Sequence, residues 1–176
     1  MTRDVILVDV QGNAIGTMEI FSAHAKPGHL HRAFSVCVFR ESNREELLIQ
    51  KRARFKPLFP HLWSNTCCSH PFPEENIVTA AEKRLQEELG FTCLLKNVGA
   101  FVYQADDPAT DLSEHEHDTV LIGTMPNAEI IPNPHEVADW KWITIRTLQQ
   151  DMTAYPEKYS PWFAQVLTIA LQCAHV

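Results

Sequence analysis

The sequence predicts an α+β fold in which a mixed β-sheet is flanked by helices, within a single domain over residues 1–176. Segments rich in β-branched and aromatic residues recur along the chain at lengths typical of strands. One central segment instead carries apolar residues at every fourth position, which is typical of a helix. A chain of 176 residues, 45% of them hydrophobic, can bury one core, and it contains no internal repeat or linker that would divide it.

The first part of the chain is predicted to form strands in hairpin-like pairs. Its apolar runs are short, and they are separated by Gly, Asn or Pro, which favour turns. The predicted strands cover residues 5–9, 15–20, 30–39 and 46–51, and the segments predicted to link the later strands are a polar loop at 24–29 and a turn at 41–44.

The central helix follows a loop that is rich in basic residues and proline. Glu74 and Glu75 place negative charge where the positive end of the helix dipole would lie, so we expect the helix to begin there. The apolar positions that would face the core are Ile77, Ala81, Leu85 and Leu89. Gly90 is a typical C-terminal stop, because glycine adopts the left-handed conformation easily.

The second half of the chain is predicted to return to the sheet and to end in helices. Strands are expected at residues 98–104, 114–123 and 137–143, loops at 105–113 and 126–134, and helices around 145–152 and 162–174. This order of strands and helices completes the α+β pattern.

Charge and composition exclude several classes of function. The net charge is -7 and the 15 Lys and Arg form no long run, so we expect no nucleic-acid partner. No apolar run approaches the ~20 residues of a membrane span, and no signal-peptide pattern opens the sequence. Five cysteines, two of them adjacent, cannot all pair within the chain. These observations predict free thiols in a reducing, cytoplasmic compartment, with no membrane association.

The segment 63–71 contains two adjacent thiols next to an imidazole. A cysteine beside a histidine in a loop bounded by proline can become a reactive thiolate. Cysteine is also among the most frequently buried residues, and burial explains such a residue without any chemistry. For Cys67 we favour simple burial, whereas for Cys68 the residues alone leave both interpretations open.

Further histidines and carboxylates could form a metal site with this segment. Glu114 and Glu116 are two residues apart, so on a strand they would share one face. Mixed imidazole and carboxylate ligands suit Zn²⁺ or Mn²⁺. The candidate ligands are His24, His31, His70, Glu114 and Glu116. Because the chain has nine histidines, spacing alone equally allows polar surface residues and a solvated edge strand.

The central helix resembles the Nudix box, whose pattern is G-x5-E-x7-R-E-U-x-E-E-x-G-U, where U is aliphatic or aromatic. Ser69 stands at the first Gly, and the residues in register are Glu75, Leu85, Glu87, Glu88, Gly90 and Phe91. Lys83 replaces the Arg, and Arg84 replaces the following Glu. A Nudix hydrolase uses that Glu among carboxylates that bind divalent cations and activate water. The segment therefore resembles a Nudix box in the positions that shape the fold, but it lacks one carboxylate that a Nudix hydrolase uses.

A more specific resemblance extends over residues 5–162, to the type 1 isopentenyl-diphosphate isomerase family. The matching features, in order, are Leu30-His31-Arg32-Ala33-Phe34-Ser35, Asn65-Thr66-Cys67-Cys68-Ser69-His70-Pro71, the altered Nudix helix, Tyr103, Glu114 with Glu116, and Ser160-Pro161-Trp162. The resemblance implies a Nudix-like fold. It also implies interconversion of isopentenyl and dimethylallyl diphosphate, both small-molecule substrates, by a monomer or a weak dimer, of which we favour the monomer.

The resemblance also implies a role for each residue of the motifs. It makes Cys68 and Glu116 the acid–base pair, with Tyr103 beside Glu116. It assigns one tightly bound Mn²⁺ or Zn²⁺ to the three histidines with Glu114 and Glu116. It places a Mg²⁺, which also binds the diphosphate, at Glu88 and Cys68. The residues implied to contact the substrate are Arg52, Lys56, Arg84 and Trp162.

Two positions depart from the family pattern, and two other functions compete with the isomerase. Ile20 stands where a Lys often contacts the diphosphate, with Lys26 as a candidate replacement, and His61 replaces a common Gly. The rival enzyme is a Nudix pyrophosphohydrolase, against which Arg84 argues. The rival without catalysis is a metal-binding or thiol-sensing module that uses Cys67 and Cys68.

Overall fold

The structure is a computed structural model that describes residues 3–40, 45–125 and 129–173. These residues form one sheet of nine strands, four α-helices and one 3₁₀ turn at Pro156–Lys158. The strands are β1 Asp4–Val8, β2 Ala14–Glu19, β3 His31–Arg40, β4 Glu46–Arg52, β5 Trp63–Ser64, β6 Cys67–Ser69, β7 Leu95–Asp106, β8 Ser113–Met125 and β9 Val137–Thr144. The helices are α1 Ile20–His24, α2 Ile77–Leu89, α3 Ile145–Ala154 and α4 Phe163–Cys173.

Strand β3 is the centre of the sheet and explains its mixed character. Along one edge it pairs in parallel with β8, in a register that sets His31 opposite Glu116. Along its other edge it pairs antiparallel with β1, β6 and β4 in turn, and there Ser35 lies opposite Cys68. The predicted α+β fold with a mixed sheet and flanking helices is confirmed. Because β6 and β8 flank the same strand, the thiol segment and the Glu114–Glu116 pair lie close together.

The two faces of the sheet bury separate apolar clusters. Side chains alternate along a strand, so Phe34 and Val36 of β3 face the helix α2, whereas Cys37 and Phe39 face α4. Leu85 and Leu89 of α2 are fully buried, and so is Phe163 of α4. Fully burying each such side chain stabilises the fold by about 1.5–3 kcal/mol. The helices thereby hold the central strands rigidly from both sides.

The helix α2 begins later than the sequence predicts. Asn76 is its N-cap, and the Asn76 side-chain oxygen accepts a bond from the Val78 amide at 2.9 Å. Glu74 and Glu75 precede the helix, so the prediction that they open it is wrong. A capping side chain outweighs two charges placed near the same end. The C-terminal stop is confirmed, because Gly90 has φ 77° and its amide donates to the Gln86 carbonyl.

A short helix, α1, was not predicted. The prediction took residues 15–20 as strand and 24–29 as loop, whereas Ile20–His24 is helical and begins where the Glu19 carboxylate accepts the Ser22 amide at 3.0 Å. Five residues are too few for apolar periodicity to show in the sequence. Strands β7 and β8 also extend beyond their predicted ends.

Some sequence predictions concern residues that the structure does not describe, and another concerns the absence of a membrane-spanning segment. The turn at 41–44, part of the loop at 126–134 and residue 174 lie outside the described residues. Among the helices of the described chain, none is long and apolar enough to cross a membrane.

Candidate active site

One cavity of about 230 Å³ brings most of the candidate residues together. It lies beside the ends of β6 and β8, between the helix α1 and the loop that follows β4. Its walls include Glu116 and Tyr103 at one end, Lys56 and Arg84 at the other, and Cys68, whose Sγ lies 3.6 Å from Arg52 Nη1. The candidate site therefore has two chemically different ends, which we call the imidazole cluster and the cationic cluster and define below.

The imidazole cluster consists of His24, His31, His70, Glu114 and Glu116, whose ligand atoms all lie within 4.8 Å of one another. His24 Nε2 is 3.0 Å from Glu114 Oε2, and His70 Nε2 is 2.8 Å from Glu116 Oε1. The parallel pairing of β3 with β8 supplies His31 and Glu116, and the helix α1 directs His24 toward Glu114. All five residues of the predicted metal set therefore converge.

Backbone carbonyls orient two of these imidazoles. His24 Nδ1 is 2.7 Å from the Ile20 carbonyl oxygen, and His31 Nδ1 is 2.7 Å from that of His29. Because a carbonyl oxygen only accepts, each Nδ1 carries the hydrogen, and in the neutral ring Nε2 then presents a lone pair to the cluster. His31 Nε2 faces His70 Nε2 at 3.1 Å. Oriented lone pairs beside two carboxylates fit a divalent cation.

The electrostatics of the cluster also favour a positive charge at its centre. Burial lowers the pKa of His24, but the bond to Glu114 outweighs it and raises the pKa to about 9. Burial would raise the pKa of Glu116, yet His31 and His70 hold it well below its ordinary value. The carboxylates thus draw positive charge to this point, which a bound divalent metal would supply.

The proton-transfer candidates line the same cavity. The Tyr103 hydroxyl donates to Glu116 Oε2 at 2.6 Å, across the β7–β8 register that pairs the two residues. Burial raises the pKa of Cys68 to about 12, although Arg52 and Lys56 act in the opposite direction. The Cys68 thiol therefore keeps its proton at neutral pH. Cys67 is fully buried in the cluster beneath α2, as the favoured interpretation of that residue predicts.

Asn65 belongs to the family motif around the two cysteines, but the sequence predicted no role for it. Its side chain is fully buried, and its Oδ1 accepts the Trp162 indole N–H at 3.1 Å. Its Nδ2 donates to the carbonyl oxygens of Cys67 and Val36, at 2.7 and 3.2 Å. One amide thus joins the aromatic wall of the cavity to the backbone directly before Cys68.

The cationic cluster consists of Arg52, Lys56 and Arg84 with the carboxylates Glu88 and Glu136. Lys56 Nζ lies 3.2 Å from Glu88 and 2.7 Å from Glu136. Arg84 Nη2 lies 2.8 Å from Glu88 and 2.7 Å from Glu136. Burial raises the pKa of Glu88, but Lys56 and Arg84 outweigh it and lower the pKa overall. Glu136 was missed because it stands in a loop without a recognisable pattern.

Backbone carbonyl groups, rather than a carboxylate, hold the Arg52 guanidinium in place. Its guanidinium donates to the carbonyls of Leu58 and Phe59, and Nη1 is 3.6 Å from Cys68 Sγ. The guanidinium carbon lies 5.2 Å from the centre of the Trp162 ring. Arg52 therefore connects the cationic cluster to the thiol.

The structure shows where the residues that depart from the family pattern lie and what they contact. Ile20 lines the cavity, whereas Lys26 donates to the carbonyls of Asp107 and Thr110 at 3.0 and 2.8 Å. His61 adopts φ 66°, a conformation in which glycine carries no steric penalty. Among the tryptophans, Trp162 lines the cavity, whereas Trp140 and Trp142 pack against the cluster beneath α2.

Comparison with known proteins agrees with this fold and site. The sequence matches the NUDIX domain family over residues 29–163. The structure is similar to the protein DR0079 of Deinococcus radiodurans, with a TM-score of 0.74 at 18% identity, covering 96% of this chain and 99% of the other. It is also similar to a MutT protein of Methanosarcina mazei, with a TM-score of 0.63 at 14% identity, covering 81% and 94% of the two chains. The fold and the match define a Nudix domain.

Two relatives that align over nearly their whole length identify the family within this superfamily. An isopentenyl-diphosphate Delta-isomerase of Nocardia farcinica is 48% identical, covering 94% of this chain and 93% of its own. An isopentenyl-diphosphate Delta-isomerase of Halorhodospira halophila is 46% identical, covering 93% and 92%. The chain belongs to the isopentenyl-diphosphate Delta-isomerase family of the Nudix superfamily.

Proposed function

We propose that this chain is an isomerase that interconverts isopentenyl and dimethylallyl diphosphate. The observation that supports it best is the placement of a thiol, a carboxyl group and an indole, from Cys68, Glu116 and Trp162, around one cavity with a cationic far end. Relatives of 46–48% identity that carry this name support the same activity.

The reaction moves a double bond by one position and requires two proton transfers. One proton adds to the terminal carbon of the alkene and creates a tertiary carbocation. A second proton then leaves the CH₂ group on the other side of the cationic carbon. Cys68 and Glu116 are on strands that flank β3 and both line the cavity, which supports them as the proposed groups for the two transfers. Tyr103 fixes the Glu116 carboxyl group through its hydroxyl.

The imidazole cluster would hold a divalent metal through His24, His31, His70, Glu114 and Glu116. We propose Mn²⁺ or Zn²⁺ there, because the ligand set mixes imidazole and carboxylate. A metal held by this set would supply positive charge that keeps the Glu116 carboxyl group oriented. Glu88 and the main chain of Cys68 would hold a Mg²⁺ that neutralises diphosphate charge.

The hydrocarbon part of the substrate requires a dry cavity with an aromatic wall. Water would convert the carbocation into an alcohol, so its exclusion is part of the reaction. Trp162 has only 3% of its surface exposed and lines the cavity. An indole face stabilises a desolvated cation by about 2 kcal/mol. Trp162 is therefore proposed to stabilise the developing positive charge.

The cationic cluster would bind the diphosphate. Arg52, Lys56 and Arg84 are close to the cavity wall, and guanidinium groups bind phosphate oxygens in pairs. Binding energy from the diphosphate offsets the cost of positioning the reacting carbons. Arg84 takes the place of the Glu that a Nudix hydrolase uses, so this end of the site is suited to hold the diphosphate rather than to cleave it.

The free cysteines support a proposal for the cellular compartment. Cys37, Cys67, Cys68 and Cys93 are free cysteines among the described residues, which suits a reducing compartment. We therefore propose a cytoplasmic enzyme, and the family resemblance supports a monomer as its proposed oligomeric state.

Product analysis tests this function. Purified protein with Mg²⁺ and isopentenyl diphosphate is expected to form dimethylallyl diphosphate with both phosphates still joined, as seen by ³¹P NMR and mass spectrometry. Phosphate release from nucleoside diphosphate derivatives would instead support a pyrophosphohydrolase. No turnover of either substrate, together with a redox response that Cys68→Ser alters, would support a metal-binding or thiol-sensing module.

A further inference from the structure

Glu136 is a carboxylate that contacts both cations proposed to bind the diphosphate. Its Oε2 lies 2.7 Å from Lys56 Nζ, and its Oε1 lies 2.7 Å from Arg84 Nη2. Each of its oxygens therefore occupies a position at which a phosphate oxygen would bind the same donor. Glu136 lines the cavity, at the same end as Lys56 and Arg84.

The charges explain why this arrangement matters. Lys56 and Arg84 carry two positive charges, and Glu88 and Glu136 each contact both cations within 3.2 Å. A third carboxylate, the more exposed Glu87, contacts Arg84 alone. A polyanion gains little from cations that carboxylates already neutralise, as Glu88 and Glu136 do for Lys56 and Arg84. Binding at these two cations therefore improves when Glu88 or Glu136 moves away from them.

The two carboxylates differ in their freedom to move. The Glu88 side chain is 1% exposed and is on the helix α2, where it also accepts a bond from Gln50 at 2.8 Å. The Glu136 side chain is 23% exposed and is on the loop before β9. A side chain on a loop with access to water can rotate away at a smaller cost than a buried helical one.

We propose that Glu136 is a displaceable counter-ion that competes with the diphosphate for Lys56 and Arg84. It holds the two cations in place and is exchanged for phosphate oxygens when the substrate binds. Glu136 is thus a positioning residue that sets affinity for the diphosphate. This inference rests on the proposed function only in assigning the diphosphate to these cations.

Glu87 provides a matched control on the same arginine. Its carboxylate lies 3.2 Å from Arg84 Nη1, so a change to glutamine removes the same charge from the same neighbourhood. Its side chain is 46% exposed, and no ion pair to Lys56 is found for it. Water screens an exposed pair of this kind strongly. Glu87→Gln therefore measures how much the removal of any nearby negative charge changes diphosphate affinity. A larger change in Glu136→Gln is then specific to the loss of the Glu136 carboxylate.

Calorimetric binding of inorganic diphosphate to the full chain tests the proposal without any turnover. Without Mg²⁺, Glu136→Gln is expected to bind inorganic diphosphate roughly tenfold more tightly than the unchanged protein, because a nearby negative charge is removed. Glu87→Gln is expected to change the affinity by less than about twofold, since its charge is screened. Glu136→Asp keeps the charge and is expected to bind like the unchanged protein.

Three results would overturn the proposal. Equal tightening by Glu87→Gln and Glu136→Gln would show a general charge effect. Equal tightening by Glu136→Asp and Glu136→Gln would show a change of loop structure. Weaker binding by Glu136→Gln when Mg²⁺ is present, with no tightening when it is absent, would make Glu136 a metal ligand instead. Failure of isomerase activity leaves these binding outcomes unchanged, so the two proposals fail separately.

Discussion

The two ends of the cavity are built on different principles. The imidazole cluster is supplied mainly by strands, and backbone carbonyls fix the rings of His24 and His31. The cationic cluster is supplied by the helix α2, the end of β4 and loops, and Glu88 and Glu136 neutralise two of its cations, Lys56 and Arg84. In the proposed function, the first end keeps one cation permanently. The second end is proposed to exchange one anion for another at each turnover.

The largest expected effect comes from removing the thiol between the two ends. Cys68→Ala is expected to lower kcat by roughly 10³-fold or more, because a positioned proton-transfer group contributes about 10²–10⁴-fold. Glu116→Gln is expected to be at least as severe, since Glu116 belongs to the metal set as well. Rates of dimethylallyl diphosphate formation measure both effects.

The neighbouring cysteine is the control for this comparison. Cys67 is fully buried and contributes to the core beneath α2, so Cys67→Ala should lower the melting temperature and leave kcat within a few fold. A loss of turnover in Cys67→Ala equal to that in Cys68→Ala would contradict the assignment.

Removing the metal tests the claim that the imidazole cluster holds a cation permanently. A ligand present at 1,000 times its Kd stabilises a fold by about 4 kcal/mol, so chelation should lower the melting temperature markedly. His24→Ala should abolish that sensitivity to chelation. His115→Ala is the control, because His115 contacts the Gly28 carbonyl and is not part of the cluster. An unchanged melting temperature after chelation would contradict a permanent metal.

Acid should weaken the cationic cluster. Lys56 and Arg84 hold the pKa of the buried Glu88 below its ordinary value of 4.5, so this ion pair stabilises the fold above that pH. The stabilisation is lost as the pH falls through the lower, folded-state pKa. Glu88→Gln is expected to cost about 3 kcal/mol at pH 7, since it leaves buried cations less well paired.

Denaturant unfolding as a function of pH measures this effect. The stability difference between Glu88→Gln and the unchanged protein should shrink steadily below pH ~4.5, where the carboxyl becomes protonated in the unfolded chain. A difference that stays constant down to pH ~3 would contradict the ion-pair account.

The smallest expected effect concerns the aromatic wall between the two ends. Trp162→Leu should lower kcat by about 30-fold, the equivalent of the roughly 2 kcal/mol of a desolvated cation–π contact. Trp162→Phe keeps an aromatic face but loses the bond to Asn65, so its loss should be smaller. Trp142→Phe is the control, because Trp142 lies against the other core cluster beside Arg40. Equal losses in all three variants would contradict a specific role.

The sequence could predict the metal set but not the reason that its members meet. His31 and Glu116 are 85 positions apart, and only the parallel pairing of β3 with β8 makes them neighbours. Strand pairing at such separation depends on the whole sheet, which local patterns do not encode. The candidate ligands were predicted with the help of the family resemblance, because spacing alone left three of them among nine histidines.

The cationic cluster could be predicted less completely. Glu88 was found through its register in the Nudix box, and Arg84 through its departure from that box. Glu136 occupies a loop and takes its importance from two contacts made across the fold. Asn65 was quoted in a motif, yet its bond to Trp162 joins positions 97 apart. Contacts of this kind need coordinates, because neither residue type nor spacing marks them.

We propose that two exchangeable groups of this chain, Cys68 and Glu116, carry the protons of the isomerisation. The most direct measurement is the ¹H NMR spectrum of dimethylallyl diphosphate formed from isopentenyl diphosphate in D₂O, over a single pass. The account predicts one deuterium in the methyl group that protonation creates, because both groups exchange their protons with solvent. Product that contains no deuterium would contradict it, since the proton would then have moved within the substrate alone.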